Sequence, residues 1–218
     1  MSEQPLQIEW REGQCVSAAL EASVAAANPG LVLAPGAGGN LDSPFLVEIS
    51  EGLAARDIAS LRFNFPYTEN RRRIPDPAPT LEACYQAVAR RGAELFPHGL
   101  FIGGKSMGGR IASQMVAHLE APAIRGLIFL GYPLHPPGKQ HQLRDQHLYD
   151  LRVPMLFIEG THDAFAEPKL LQGVLDRLGD RARVHWIEGG DHSFKVRGRK
   201  PAEVHREILE VVAGFIRT

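Results

Sequence analysis

Cysteine is scarce in this chain: 218 residues contain two, Cys15 and Cys84. They could pair in principle, but two isolated cysteines read more naturally as reduced thiols of a cytoplasmic protein than as a disulfide framework. Long apolar runs are also missing, and none approaches the ~20 residues that a membrane span requires. The stretch Met1 to Trp10 has no basic region followed by an apolar one, so no signal peptide is expected. Neither sign of charge dominates, since 24 Lys and Arg face 25 Asp and Glu for a formal net charge of -1. That balance gives no global electrostatic reason to expect nucleic acid or an acidic membrane as partner. No low-complexity stretch is long enough to link two domains, and no internal repeat is visible. A hydrophobic fraction of 44% suits one compact core, so a single domain over residues 1–218 is expected, with no oligomeric state implied.

Short apolar runs alternate with helix-like segments, the pattern of a mainly parallel sheet with helices on both faces. Leu6 to Trp10 and Val16 to Ser23 read as an antiparallel start. Further strands are expected at Gly30 to Ala34, Ile58 to Phe65, Leu100 to Gly104, Arg125 to Leu130, Pro154 to Glu159 and Arg183 to Ile187. Helices are expected at Ser43 to Arg56, Thr80 to Phe96, Met107 to Leu119, Pro168 to Leu178 and Pro201 to Arg217. Tyr67 to Pro79, with its prolines and Arg71-Arg72-Arg73, reads as a loop, as does the His- and Pro-rich stretch Gly131 to Asp150.

Gly104-Lys105-Ser106-Met107-Gly108 fits G-x-S-x-G, the turn that presents a nucleophilic serine. Its glycines answer a steric need, because the strand-to-helix turn leaves no room for side chains on either flank. The serine itself is held in a strained backbone conformation, with its oxygen above the sheet at a helix N-terminus. An apolar strand precedes the motif, and Ile111, Met115 and Leu119 follow it at helical spacing, which is the setting it demands.

In this arrangement an acid and then a histidine must follow, each just after a later strand. Asp163 in Gly160-Thr161-His162-Asp163 follows one strand, and His192 in Gly189-Gly190-Asp191-His192-Ser193-Phe194 follows the last. Both lie at carboxyl ends of parallel strands, where open α/β sheets place their ligand sites. Two rival acids are disfavoured: Glu159 belongs inside its strand, and Asp191 adjoins His192 and cannot easily reach the far ring nitrogen. His162 reads as a solvated loop residue. The oxyanion donors expected are the amide of Met107 and one from Pro35-Gly36-Ala37-Gly38-Gly39, most naturally that of Ala37. The same loop does not fit a phosphate-binding role, because no G-K-[ST] follows it.

His135, His141 and His147 share one loop but lack carboxylate or cysteine companions at ligand spacing, so no metal is expected. Cys84, inside a helix, reads as a buried thiol. Lys105, Arg71, Arg72 and Arg73 are candidates for binding an anionic substrate, with Lys195, Arg197, Arg199 and Lys200 after the histidine adding positive charge on the same side.

With these residues in view the chain resembles the α/β-hydrolase superfamily over nearly its whole length. It is most similar to small bacterial members near the dienelactone hydrolases, which are related in turn to an α/β-hydrolase-like domain of a eukaryotic chromatin-complex subunit. The segments that carry the resemblance are Leu33 to Gly38, Leu61 to Phe65, Gly103 to Arg110, Gly131 to Gly138, Gly160 to Asp163 and Gly190 to Phe194. It implies an α/β-hydrolase fold with a mostly parallel sheet of about eight strands, only one of them antiparallel. Two departures matter. Serine stands where dienelactone hydrolases proper use cysteine, so their substrate is not carried over. The oxyanion loop begins with Pro35 where many esterases have histidine. Only Gly131 to Leu151 fills the interval in which many members carry a helical lid, so none is expected, and an open site argues against a triglyceride lipase.

Two readings follow. One is a serine hydrolase of the carboxylesterase or thioesterase type, with Ser106, His192 and Asp163 acting on a small-molecule acyl substrate without a cofactor. The other is a binding or scaffold module that kept the fold and lost turnover.

Overall fold

A computed structural model describes residues 3–22 and 28–218. Its eight strands form one sheet in the order β1-β2-β4-β3-β5-β6-β7-β8, with β1 Glu3–Arg11, β2 Gln14–Glu21, β3 Gly30–Ala34, β4 Ser60–Phe63, β5 Leu100–Lys105, β6 Gly126–Leu130, β7 Met155–Gly160 and β8 Ala182–Ile187. Strand β2 pairs antiparallel with both β1 and β4, and every pairing from β4 to β8 is parallel. It is therefore the one strand that runs against the rest. Strands β3, β6 and β7 are buried along their whole length and β5 up to Lys105, as near-continuous apolar runs covered on both faces must be.

Helices α1 (Pro44–Ala54) and α6 (Pro201–Ile216) cover one face of the sheet with a core that includes Leu31, Leu33, Ile49, Ile128, Ile158 and Ile208. Helices α3 (Ala78–Leu95), α4 (Met107–His118) and α5 (Pro168–Leu178) cover the other, packed on Val32, Ile102, Leu127, Phe129 and Phe157. Most boundaries lie within two residues of those expected from sequence. Ser23, the expected end of the second strand, lies outside the described residues.

One expectation needs correction. The loop expected over 67–79 opens with a short helix, α2 (Pro66–Glu69), and closes with the first turn of α3. Pro66 both ends the strand region and fits the first helical position, where its missing N–H leaves nothing unpaired, so it starts a helix. Between β6 and β7 the chain forms turns and a short 3-10 helix (Gln146–Asp150), with no α-helical lid. No helix among the described residues is long and apolar enough to cross a membrane.

Candidate active site

Ser106 joins β5 to α4 at φ 51° and ψ -116°, a backbone conformation that L-residues rarely adopt. Its amide continues the β6 pairing by donating to the Leu130 carbonyl at 3.0 Å, so the strain is fixed by the sheet. The flanking glycines are required by contact. A Cβ on Gly104 would lie 2.4 Å from the Ala34 carbonyl oxygen, and one on Gly108 would lie 2.6 Å from the carbonyl oxygens of Ala34 and Pro35. The end of β3 and the elbow therefore close onto each other.

Three side chains from separate strand ends meet above the sheet. The Ser106 hydroxyl lies 2.8 Å from Nε2 of His192, and His192 Nδ1 lies 2.6 Å from Oδ2 of Asp163. With Nδ1–H donating to the carboxylate, Nε2 is left to accept from the serine. Asp163 is buried, and its other oxygen accepts from the Phe165 amide at 2.7 Å, so both carboxylate oxygens are held. The Phe165 ring packs against the His192 imidazole with centroids 4.3 Å apart. Gly131 lies near the imidazole, where a Cβ would come within 3.5 Å of its Nδ1 and Cε1.

Both rival acids are committed elsewhere. Glu159 is buried in β7 and accepts from the Tyr132 amide. Burial pushes its carboxyl well above the usual range, with that amide and Lys105 acting the other way. Asp191 accepts from the amides of Ser193 at 2.8 Å and Lys195 at 2.9 Å, and so shapes the turn that carries His192. His162 is exposed, with its amide tied to the Gly190 carbonyl.

The loop after β3 lies against the elbow, since a Cβ on Gly36 would be 3.6 Å from that of Ser106. Gly38 donates to the Tyr67 hydroxyl and Gly39 to the Gly36 carbonyl. The amides of Ala37 and Met107 take no hydrogen-bond partner among the described residues, and both residues line the cleft at Ser106. This cleft measures about 290 Å³. A slightly larger cavity of about 350 Å³ opens among Phe101, Arg125, Pro154 and Arg183, at the amino-terminal edge of the sheet and away from these groups.

The proposed substrate-binding cations are placed differently from expectation. Arg71, Arg72 and Arg73 are exposed and do not line the cleft, and Arg72 is paired with Asp76 at 2.6 Å. The cause is α2, which turns the chain after β4 so that the three side chains point to solvent. Lys105 does not reach into the cleft either; its ammonium donates to the His192 carbonyl at 2.5 Å and sits 5.0 Å from the Phe194 ring centroid. Burial pulls its pKa down, against the attraction of Glu159, Asp163 and Asp191. The cations that line the cleft are Arg110 and Arg144, neither of which the sequence pattern singles out.

Among the described residues no group of three or more His, Cys, Asp and Glu could hold a metal ion. His135 is buried and accepts from the Glu167 amide, His141 is exposed, and His147 pairs with the Ser113 hydroxyl at 2.8 Å. Cys15 is exposed, Cys84 is buried, and both thiols are free.

Comparison with known proteins gives a consistent placement. The family model described as an alpha/beta hydrolase domain matches residues 27–217. Among solved structures, the chain resembles an α/β serine hydrolase without lid from Xanthomonas campestris, at 18% identity and a TM-score of 0.76, covering 100% of this chain and 97% of that one. It also resembles a dienelactone hydrolase from Anabaena variabilis, at 16% identity and a TM-score of 0.77, covering 98% and 95%. A third likeness is to the esterase domain of a Rhodothermus marinus protein, at 16% identity and a TM-score of 0.75, covering 100% and 98%.

Proposed function

The chain belongs to the α/β-hydrolase family, and on that premise we propose that it is a serine hydrolase cleaving small esters, thioesters or related acyl bonds. The observation that carries this reading is the continuous Ser106–His192–Asp163 array, with contacts of 2.8 and 2.6 Å, opening onto a cleft flanked by two unengaged amides. Ser106 Oγ attacks the acyl carbon while its proton passes to His192 Nε2. The developing oxyanion accepts from the amides of Ala37 and Met107, at the N-terminus of α4 where negative charge is favoured. Asp163 fixes the histidine tautomer and stabilises the imidazolium. The tetrahedral adduct collapses as His192 returns the proton to the leaving group, leaving an acyl-enzyme. Water then attacks with His192 again as base, and the acid product departs with Ser106 restored. No step calls for a cofactor or metal. In this reading the protein works in the cytoplasm, where its two thiols stay reduced.

A panel of nitrophenyl esters and acyl thioesters of varied chain length tests the proposal. Wild type is expected to turn over at least one member of the panel, with Ser106→Ala slower by ~10³-fold or more. Wild-type rates no higher than buffer across the panel would favour a binding module instead.

A further inference from the structure

Arg110 and Arg144 face the cleft that contains Ser106, and neither has an anionic partner. None of the ion pairs among the described residues includes either one. Arg110 donates through Nη1 to Gln114 Oε1 at 2.8 Å, while its Nε is buried with no hydrogen-bond partner. Arg144 donates only weakly, at 3.3 Å, to the Pro133 carbonyl. Burial lowers the Arg110 pKa and the like charge of Arg144 adds to that effect, while Tyr132 and the Glu82 carboxylate act the other way. Two half-buried guanidinium groups that repel each other, with no carboxylate in ion-pair contact with either, are unfavourable unless something else supplies the negative charge.

Their position relative to the nucleophile is fixed. The Arg110 amide donates to the Ser106 carbonyl at 3.2 Å, which closes the first turn of α4, and both residues line the same cleft. Arg144 is held over this face by its amide, which donates to the Leu134 carbonyl at 2.8 Å, and by its carbonyl, which accepts from the Tyr132 hydroxyl at 2.7 Å. The cleft wall between is apolar, with contributions from Met107, Ile111, Leu81 and Pro133. Asp76 is the one carboxylate on the lining; Arg72 pairs with its Oδ1 at 2.6 Å, and its Oδ2 is buried with no hydrogen-bond partner.

We propose that Arg110 and Arg144 form an anion subsite, and that the cleft selects acyl substrates bearing a carboxylate at the far end of a short apolar chain. The acyl carbon sits at Ser106, the chain runs along the apolar wall, and the two guanidinium groups grip the distal carboxylate, a geometry suited to bidentate contact. This rests on Ser106 being the nucleophile.

The test compares the mono-4-nitrophenyl ester of adipic acid with 4-nitrophenyl hexanoate, of equal acyl length but uncharged. At low salt the wild type is expected to favour the charged ester in kcat/KM by about 10- to 100-fold, the scale of one or two charge-assisted hydrogen bonds. Arg110→Gln and Arg144→Gln should each cut that ratio about tenfold or more, and added salt should erode it. Should Arg110→Gln fail to fold, Arg144→Gln in the loop carries the same prediction. A wild-type ratio near one, or a ratio unchanged in both variants, overturns the subsite. Calorimetric titration of Ser106→Ala with adipate reads the subsite without turnover. Binding weakened about tenfold by either arginine change supports it, and no binding overturns it. Adipate binding in a wild type that hydrolyses neither ester would overturn the nucleophile and leave the subsite standing.

Discussion

The Lys105 ammonium donates to the His192 carbonyl at 2.5 Å, so the residue just before the proposed nucleophile also anchors the segment that carries the proposed base. Ser106 and His192 are thereby tied twice, once through Ser106 Oγ and once through the backbone of β5 and its lysine.

Lys105→Met should remove this second tie without touching the cleft. The expected result is a fall in kcat of about 10²-fold, the scale of a small misplacement of a reacting group, with KM nearly unchanged. Lys105→Arg should recover part of the loss. A rise in KM with kcat intact would instead make Lys105 a substrate contact.

Asp163→Asn should lower kcat by ~10⁴-fold while leaving the fold intact, because the histidine loses the charge that orients it. Asp191→Asn should cost much less activity, since an amide oxygen can still accept from Ser193 and Lys195 in the turn. Steady-state kinetics of both variants decides between the two acids, and the reverse order of losses would reassign the role.

Much of this site was legible in the sequence because its parts are local. The elbow is a run of five residues whose glycines answer contacts with the end of β3, and Asp163 and His192 each follow a recognisable strand. What was hidden depends on where irregular chain goes. Arg71, Arg72 and Arg73 sit just past β4, but α2 turns them outward. Arg144 reaches the cleft only because the loop after β6 folds back over α4, and no periodic pattern marks that path. Arg110 lies in the first turn of α4, and no residue pattern marks which side chain of that turn lines the cleft.

Gly131 and Gly138 form a matched pair for measuring the crowding around His192. Both adopt positive φ, at 73° and 71°. A Cβ on Gly131 would lie 2.8 Å from Lys105 Nζ, whereas one on Gly138 meets nothing within 4 Å. Each alanine substitution should cost about 1–2 kcal/mol of stability from left-handed backbone strain. Only Gly131→Ala should also lower kcat. Equal activity in the two variants, measured beside urea unfolding, would show that the lysine and imidazole tolerate the added carbon.

His147 gives the fold an acid-sensitive point. Burial holds its pKa down to about 4, from an ordinary value of 6.5, with the positive charges of His118 and Arg110 adding to the shift. The folded pKa lies below the unfolded one. Its contribution to stability is therefore fully present above about pH 6.5 and is lost as pH falls toward about 4. Urea unfolding at several pH values in that window should show a steeper decline for wild type than for His147→Asn. Parallel curves would mean that other groups govern the acid limb.

Catalysis as proposed requires Ser106 to be an activated nucleophile, and covalent labelling tests this without knowledge of the substrate. A fluorophosphonate probe should modify wild type at a single site, recovered by peptide mass spectrometry on the segment containing Ser106. Labelling should be absent in Ser106→Ala and greatly slowed in Asp163→Asn. Undiminished labelling of Ser106→Ala, or a wild type that the probe leaves unmodified, would contradict it.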